Sequence, residues 1–418
     1  MKILIVNTHD NYGGAARAAL RLHKALLDSN INSQMLVKYK SENDKTIESI
    51  YNTPFNKIIS FLLIRIEQFL LSRYKKTYTL FSSEWLSNIY VIKKINKSAA
   101  DIVHLHWFNQ SMLSITDLHK INVPIVWSLH DMWAFTGGCH YTNMCNLYLK
   151  TCHTCPILQS NKRKDLSYIN FLKKKKYFNL INHITLIGLS KWLDNCISKS
   201  SLLKDKTHLN LPNPINTKTF KRINKNVARQ IWSLPTNKKL ILFGAVNATS
   251  DPRKGFNKLN RALEKISDSN AEFIVFGASK PISPTQKTDC KINYLGNIYD
   301  DKSLMILYNA VDVMIVPSLQ ENLSNTIMES LACATPVVAF NIGGNSDLII
   351  HKQNGYLAKA FDSDDLAYGI KWILNNTNYN ALCLCARQQI KKHFDSHIVA
   401  REYIELYKTI LHKPTTIN

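Results

Sequence analysis

Glu321 and Glu329 stand eight positions apart in the stretch ENLSNTIMES at 321–330. Two carboxylates this close are either an acid–base pair or two separate grips on one ligand. A retaining hydrolase needs its pair about 5–5.5 Å apart across the scissile bond. Here the stretch follows the apolar run DVMIVPS (312–318) and reads as a helix beginning near Ser324. Glu321 then sits just ahead of the helix, and Glu329 about one and a half turns inside it at ~3.6 residues per turn. That separation suits two grips on a ligand lying across the helix start. The first N–H groups, from Ser324 to Thr326, form a ready anion site. A glutamate ahead of the helix would accept sugar hydroxyls, and one at the base of a nucleotide pocket would accept ribose hydroxyls.

Other residues fit the same chemistry. Lys254, in SDPRKGF (250–256), follows a strand-like run and has Arg253 beside it. It suits phosphate neutralisation, and equally an ordinary charged surface turn. Gly13 and Gly14 lie between the first apolar run and a helical pattern, where bare backbone lets N–H groups approach a phosphate. A turn serving geometry alone is the competing reading. His130 and Asp131, in SLHD, end another strand-like run; such a pair is more often structural than catalytic.

GGCHYTNMCNLYLKTCHTCP (137–156) carries Cys139, Cys145, Cys152 and Cys155, with His140 and His153 among them. Four thiols ending in C-x-x-C suit a tetrahedral structural zinc site, which would staple a loop short of apolar residues. A disulfide or redox role and unliganded thiols are the alternatives. The loop directly follows His130 and Asp131, so it can shape whatever pocket they line.

The elements that must position these residues alternate. KILIVN (2–7), NSQMLVKY (32–39), DIVHLHW (101–107), PIVWSLHD (124–131) and HITLIGLS (183–190) are strand-like, and AARAALRLHKALLDS (15–29) has helical spacing. KKLILFGA (238–245), AEFIVFGA (271–278), INYLG (292–296), DVMIVPS and TPVVAF (335–340) repeat the grammar, with DSDDLAYGIKWILNN reading as a capped helix. The fold class is α/β with parallel sheets, as two doubly wound domains. The expected boundaries are 1–207, 208–392 and a C-terminal helix at 393–418 packing back on the first domain; LPNPINTKTF (211–220) opens the second.

A length of 418 residues favours two domains, and 45% hydrophobic with 20% charged residues is the balance of a soluble globular protein. No apolar run reaches the ~20 residues of a membrane span. The apolar core of the N-terminus, Ile3 to Val6, is shorter than the ~7–15 residues of a signal h-region, so a buried strand and a cytoplasmic location are expected. The net charge of +23 points to an anionic partner or to a lysine-rich solvated surface. NKIISFLLIRIEQFLLSRYKK (56–76) reads as an amphipathic helix, and LSYINFLKKKKYFN (166–179) sets four lysines between aromatics. Both suit an anionic membrane surface, or else ordinary packing and a solvated helix face. A zinc-containing nucleic-acid binder is disfavoured, because the lysines are dispersed and no recognition helix follows the cysteines.

PSLQENLSNTIMESLACATPVVAFNIGGNSDLIIHKQNGYLA (317–358) resembles the donor-binding segment of the retaining family-four glycosyltransferases, which carry Glu, seven residues, Glu at this point. LPNPINTKTF, RKGF, GNI and NTHDNYGGAARAALRL continue the resemblance in order across nearly the whole chain. It implies a GT-B fold, two Rossmann-like domains facing a central cleft. It also implies transfer of a sugar from a nucleotide-diphosphate sugar, with retention, to a saccharide acceptor, and no catalytic metal. Glu329 matches the ribose glutamate and Glu321 the glutamate on the donor sugar. Asn322, Leu323, Ser324, Asn325 and Thr326 match the segment whose amides meet sugar and diphosphate. Lys254 matches the diphosphate lysine, Gly14 (beside Gly13) the first-domain glycine, and His130 the histidine beside the reacting sugar, with Asp131 able to orient it or an acceptor hydroxyl. The base pocket is expected near Gly277 and Asn297. Where the family has arginine this chain has Ala245, and Arg253 is the candidate replacement. The implied setting is bacterial surface polysaccharide synthesis (lipopolysaccharide, O-antigen or exopolysaccharide) on a lipid-linked acceptor, at the inner face of the cytoplasmic membrane. The same fold also serves nucleotide-sugar epimerases and phosphorylases, and the donor nucleotide, UDP or GDP, stays open.

Overall fold

The alternating apolar runs become thirteen short parallel strands in a computed structural model, which describes residues 1–51, 54–75, 79–83, 86, 88–245, 248–266, 270–278 and 291–412 (not the side chains of 54–56). Lys76, ending one apolar run, and the tail 413–418 lie outside the described residues. The chain divides into two units, one of Met1–Pro214 with the described residues from Val399 onward, the other of Ile215–Ile398.

The first unit holds β1 (Lys2–His9), β2 (Asn32–Tyr39), β3 (Ile47–Ser49), β4 (Ile102–Leu105), β5 (Ile125–Leu129), β6 (Ile184–Gly188) and β7 (Thr207–Asn210), in sheet order β3-β2-β1-β4-β5-β6-β7. The second holds β8 (Lys239–Gly244), β9 (Ala271–Phe276), β10 (Lys291–Tyr294), β11 (Val313–Val316), β12 (Val337–Phe340) and β13 (Gly355–Ala358), in order β10-β9-β8-β11-β12-β13. Every pairing is parallel, as in β1 with β4, where Ile3 faces Ile102, and β8 with β11, where Ile241 faces Val313. Strands buried on both faces need continuous apolar runs rather than alternation, which is why KILIV and VMIV read as they do. Val6, Leu105 and Ile125 lie in the first core and Phe243, Phe273 and Ile315 in the second, all at most 2% exposed.

The sheet order reverses between β1 and β4 and between β8 and β11. In doubly wound folds the ligand crevice opens at the carboxyl ends of the strands flanking such a reversal. In the first unit those ends lead to Gly13 and to His106; in the second they lead to Lys254 and Glu321.

Two helices divide their faces between core and solvent. The helix Leu166–Phe178 does not offer all four lysines to solvent: Lys174 is 3% exposed, with its ammonium 3.9 Å from the Trp133 ring centre, and burial lowers the pKa of Lys173. One stripe of this helix must face the core, and position 174 falls on it with Phe171 and Phe178. The helix Pro54–Ser72 is amphipathic, but its apolar face is not packed away. Phe61 and Phe69 are 56% and 60% exposed, while Leu70 and Leu71 pack against the Phe81–Leu158 cluster. Among the described residues no helix is long and apolar enough to cross a membrane.

Candidate functional site

In the second unit the turn Pro252–Lys254 is stitched to the loop after β11, where the Leu319 N–H donates to the Arg253 carbonyl at 2.8 Å. This brings Lys254 Nζ to 3.1 Å from Glu321 Oε2, and the Ser318 hydroxyl donates to the same oxygen at 3.2 Å. Burial would raise the Glu321 carboxyl; the charges of Lys254 and Arg253 outweigh it and hold the group below its usual range. Arg253 lies along the loop, donating to the Gln320 carbonyl (3.4 Å) and pairing with Asp251 (3.3 Å).

Ser324 N-caps the helix Asn325–Ala332, and its own side chain caps none of the first amides. Glu329, 1% exposed, accepts from the Tyr308 hydroxyl at 2.9 Å. The two glutamates therefore have separate partners and separate depths. The backbone of Glu321 is held from behind by Gly343 (φ +51°): a Cβ there would meet the Glu321 carbonyl oxygen at 1.8 Å. Gly277 ends the strand β9 side of the unit, its N–H donating to the Gly296 carbonyl at 2.7 Å, with Asn297 next to it and exposed. Ala245 closes β8, beneath Gly277.

The first unit holds Gly13, Gly14, His130 and Asp131. Gly13 (φ +90°) N-caps the helix Gly14–Asp28. His106 and His130 share a hydrogen bond, Nδ1 to Nε2, at 2.9 Å. Burial lowers the pKa of His130 to about 4 against the opposing charge of Asp131, and leaves His106 well below the usual range. Both rings are neutral near pH 7. Asp131 serves the loop: Oδ1 accepts from the Trp133 N–H (2.8 Å), and Oδ2 bonds His140 Nδ1 (2.7 Å) and Trp107 Nε1 (3.2 Å). Asp131 thereby anchors the cysteine loop, whose His140 reaches on to the Ser82 hydroxyl at 3.0 Å.

Cys139, Cys145, Cys152 and Cys155 all line one cavity of about 10 Å³, with Thr142, Tyr148 and His153. All four are free thiols, and only Cys145 is not fully buried. Among the described residues no group of three or more His, Cys, Asp or Glu is placed, as the side chains stand, to hold a metal ion.

Tyr308, Ser318 and His106 were not singled out by sequence. His106 had a signal: in HLHW, His104 and His106 alternate along a strand and must share a face. Tyr308 had none, since it reaches Glu329 from another helix.

Residues 224–390, within the second unit, match the family model described as glycosyl transferases group 1. An uncharacterized glycosyltransferase of Methanocaldococcus jannaschii is 22% identical over 348 residues, 79% of this chain and 80% of its own length. The putative colanic acid biosynthesis glycosyl transferase WcaC of Escherichia coli is 26% identical over 177 residues, 38% of this chain and 40% of its own. HepE of Anabaena, solved in complex with UDP and glucose, matches with a TM-score of 0.66 at 16% identity, covering 98% of this chain and 100% of that one. The fold is GT-B, and most of the second unit is similar to the group 1 glycosyl transferases.

Proposed function

We infer that this chain moves a sugar from a nucleotide-diphosphate sugar to a saccharide hydroxyl, with retention of configuration, in the assembly of a surface polysaccharide. The observation that carries this reading is the Lys254–Glu321 pair beside the start of the helix Asn325–Ala332. Without a donor the two side chains satisfy each other. A bound donor separates their tasks: its diphosphate takes Lys254 and the helix amides, and its sugar hydroxyls take Glu321. Glu329, deeper and steadied by Tyr308, receives the ribose.

The costly step is departure of the diphosphate. The bond from the anomeric carbon to the phosphate oxygen breaks, and the acceptor oxygen bonds that carbon on the same face. The acceptor's proton passes to the departing phosphate. Charge builds on the diphosphate oxygens, where Lys254, Arg253 and the amides from Asn322 to Thr326 stabilise it. His130, neutral near pH 7, hydrogen-bonds the sugar without adding charge. No step needs a divalent ion. HepE's UDP complex makes UDP-sugars the first donors to try, and the relationship to WcaC supports a polysaccharide acceptor. The exposed Phe61–Phe69 face and the net charge of +23 support a lipid-linked acceptor at an anionic membrane.

The test is incubation with labelled nucleotide sugars and lipid-linked saccharides. Nucleotide release that requires the acceptor is expected; isomerisation of the donor without an acceptor would instead indicate an epimerase. Lys254→Ala and Glu329→Ala should each lower turnover on the order of 100-fold or more with the circular dichroism spectrum unchanged. Full activity in either variant would sink the assignment.

A further inference from the structure

The carboxyl ends of β1 and β2 carry groups that the nucleotide sugar does not use. His9 closes β1, Tyr39 closes β2, and the two face each other across the pairing. Their rings stack with centres 4.8 Å apart and planes 27° from parallel. Tyr12, in the turn before Gly13, adds a third ring 5.5 Å from that of His9. Tyr12 is 60% exposed and Tyr39 38% exposed. Single exposed aromatics are ordinary on a protein surface. Three rings in a row, at strand ends where a doubly wound sheet opens its ligand crevice, form a platform.

The platform is held in place by its own surroundings. Tyr51 stands edge-on to Tyr39 at 6.1 Å, and the Lys38 ammonium lies 5.4 Å from the Tyr39 ring centre. The His9 ring hydrogen-bonds the Gln110 side chain. Gln110 and Ser111 are consecutive residues with φ of +63° and +59°, a left-handed conformation that residues with side chains adopt only where their surroundings enforce it. Here the Lys38 ammonium bonds the Gln110 carbonyl, and the Thr8 hydroxyl donates to the Asn109 carbonyl at 2.7 Å. Asp10 clamps the turn that carries Tyr12 to the loop after β2. Its carboxylate accepts from the Asn11 N–H (2.8 Å), the Ser41 N–H (2.6 Å) and hydroxyl (2.8 Å), and the Glu42 N–H (2.7 Å). The Asn11 side-chain amide donates to Glu42 Oε1 at 2.7 Å. Groups fixed in this way lose little freedom on binding, so little of the contact energy goes into ordering them.

The chemistry of these groups selects a ligand. Aromatic faces are electron-rich and pack against polarised C–H groups. A pyranose offers such C–H groups on a face and hydroxyls around its edge. Asn11 and Glu42 are half-buried and Gln110 is exposed, so donors and acceptors for those hydroxyls stand beside the rings. The carboxylates of Asp10 and Glu42 repel a phosphate or another anion. The residues assigned to the nucleotide, around Glu329 and Gly277, lie in the second unit.

We propose that His9, Tyr12 and Tyr39 form the acceptor subsite for an uncharged sugar ring, which stacks on Tyr12 and directs its hydroxyls to Asn11, Glu42 and Gln110. This rests on the reading of the chain as a sugar transferase and adds to it the class of acceptor: a saccharide whose terminal ring is a neutral pyranose, not a phosphorylated or uronic sugar.

The test is saturation-transfer difference NMR on the full chain without donor. The probes are the methyl pyranosides of glucose, galactose, mannose, N-acetylglucosamine and rhamnose, with methyl glucuronide and uridine beside them. Saturation of the ring protons of at least one neutral glycoside is expected, with none on the glucuronide. Tyr12→Ala should lose the signal and Tyr12→Phe, which keeps the ring, should retain it. Tyr12 is an exposed turn residue, and an unchanged melting temperature checks that both variants fold; if either does not, the wild-type choice of neutral glycoside over glucuronide still decides. No saturation of any neutral glycoside, saturation that persists in Tyr12→Ala, or loss in Tyr12→Phe as well overturns the proposal. Saturation of uridine that Tyr12→Ala removes would mark a base site and overturns it too. The experiment needs neither donor nor turnover, so it can fail while sugar transfer is confirmed, and succeed where transfer is not found.

Discussion

His106 Nε2 is buried with no hydrogen-bond partner among the described residues. This orphan nitrogen decides how His130 presents itself. Were the proton on Nε2, a buried N–H would lack an acceptor, at a cost of about 1–3 kcal/mol. A bare ring nitrogen is the lesser cost, since under-satisfied acceptors are tolerated better than orphaned donors. The proton therefore sits on His106 Nδ1 and is donated to His130 Nε2, leaving the His130 proton on Nδ1. His130 is then a hydrogen-bond donor at Nδ1. Long-range proton–nitrogen NMR spectra should show His130 protonated at Nδ1 alone. His106→Leu should erase that preference and lower kcat/KM about tenfold, whereas His106→Asn, which keeps a donor near the Nδ1 position, should restore most of both. A His130 proton found on Nε2 in the wild type would defeat this account. At the same scale, the spacing of Glu321 and Glu329 predicts separate surroundings, and the two have separate partners. The reading of Asp131 could not anticipate His140 and Trp107, which come from loops and strands distant in sequence.

At the scale of elements, the strand ends carry the argument. The loop after β11 is shaped by the close packing of Gly343 behind Glu321, and the turn after β8 by the Leu319–Arg253 bond. Gly343→Ala must move the Glu321 backbone or strain a left-handed residue, a cost of about 1–3 kcal/mol. We expect a weaker affinity for the donor nucleotide sugar by calorimetry, together with a lower melting temperature; an unchanged donor affinity would show that Glu321 is not positioned this way. Most strands were legible because a two-sided parallel strand must be continuously apolar. NSQMLVKY matched β2 residue for residue. β3, β7 and β13 were not legible: each closes an edge of its sheet, where a strand need not be continuously apolar, and their pairing comes from neighbouring strands. The lysine run at 173–176 misled for the opposite reason, because composition does not say which member of the run faces the core.

At the scale of the molecule, buried histidines tie stability to pH. His23 and His130 have pKa values lowered to about 4 and His104 to about 3, with burial the largest cause in each. The unfolded chain takes up these protons near 6.5, so below that pH it binds more protons than the folded chain. Stability from these groups is full above about pH 6.5 and falls as the pH drops toward 4, on the order of 1 kcal/mol per pH unit for each histidine. Melting temperatures at pH 7 and pH 5 should differ by several degrees or more; a flat profile would rule out neutral burial. Net charge and the exposed helix face lead to a second expectation: sedimentation with anionic but not neutral vesicles, weakened by salt.

The sequence by itself determined the two-domain α/β grammar, the placing of loops at strand ends, and the position of Glu321 and Glu329 about one helix start in the second unit. These follow from local periodicity and fixed spacing along one helix start. Only the tertiary structure decided what joins across the chain: Tyr308 to Glu329, His106 to His130, His140 to Asp131, and four sulfurs to one cavity. Such pairings depend on which strands become neighbours and which helix face turns inward, and no local pattern encodes the distance between residues that far apart.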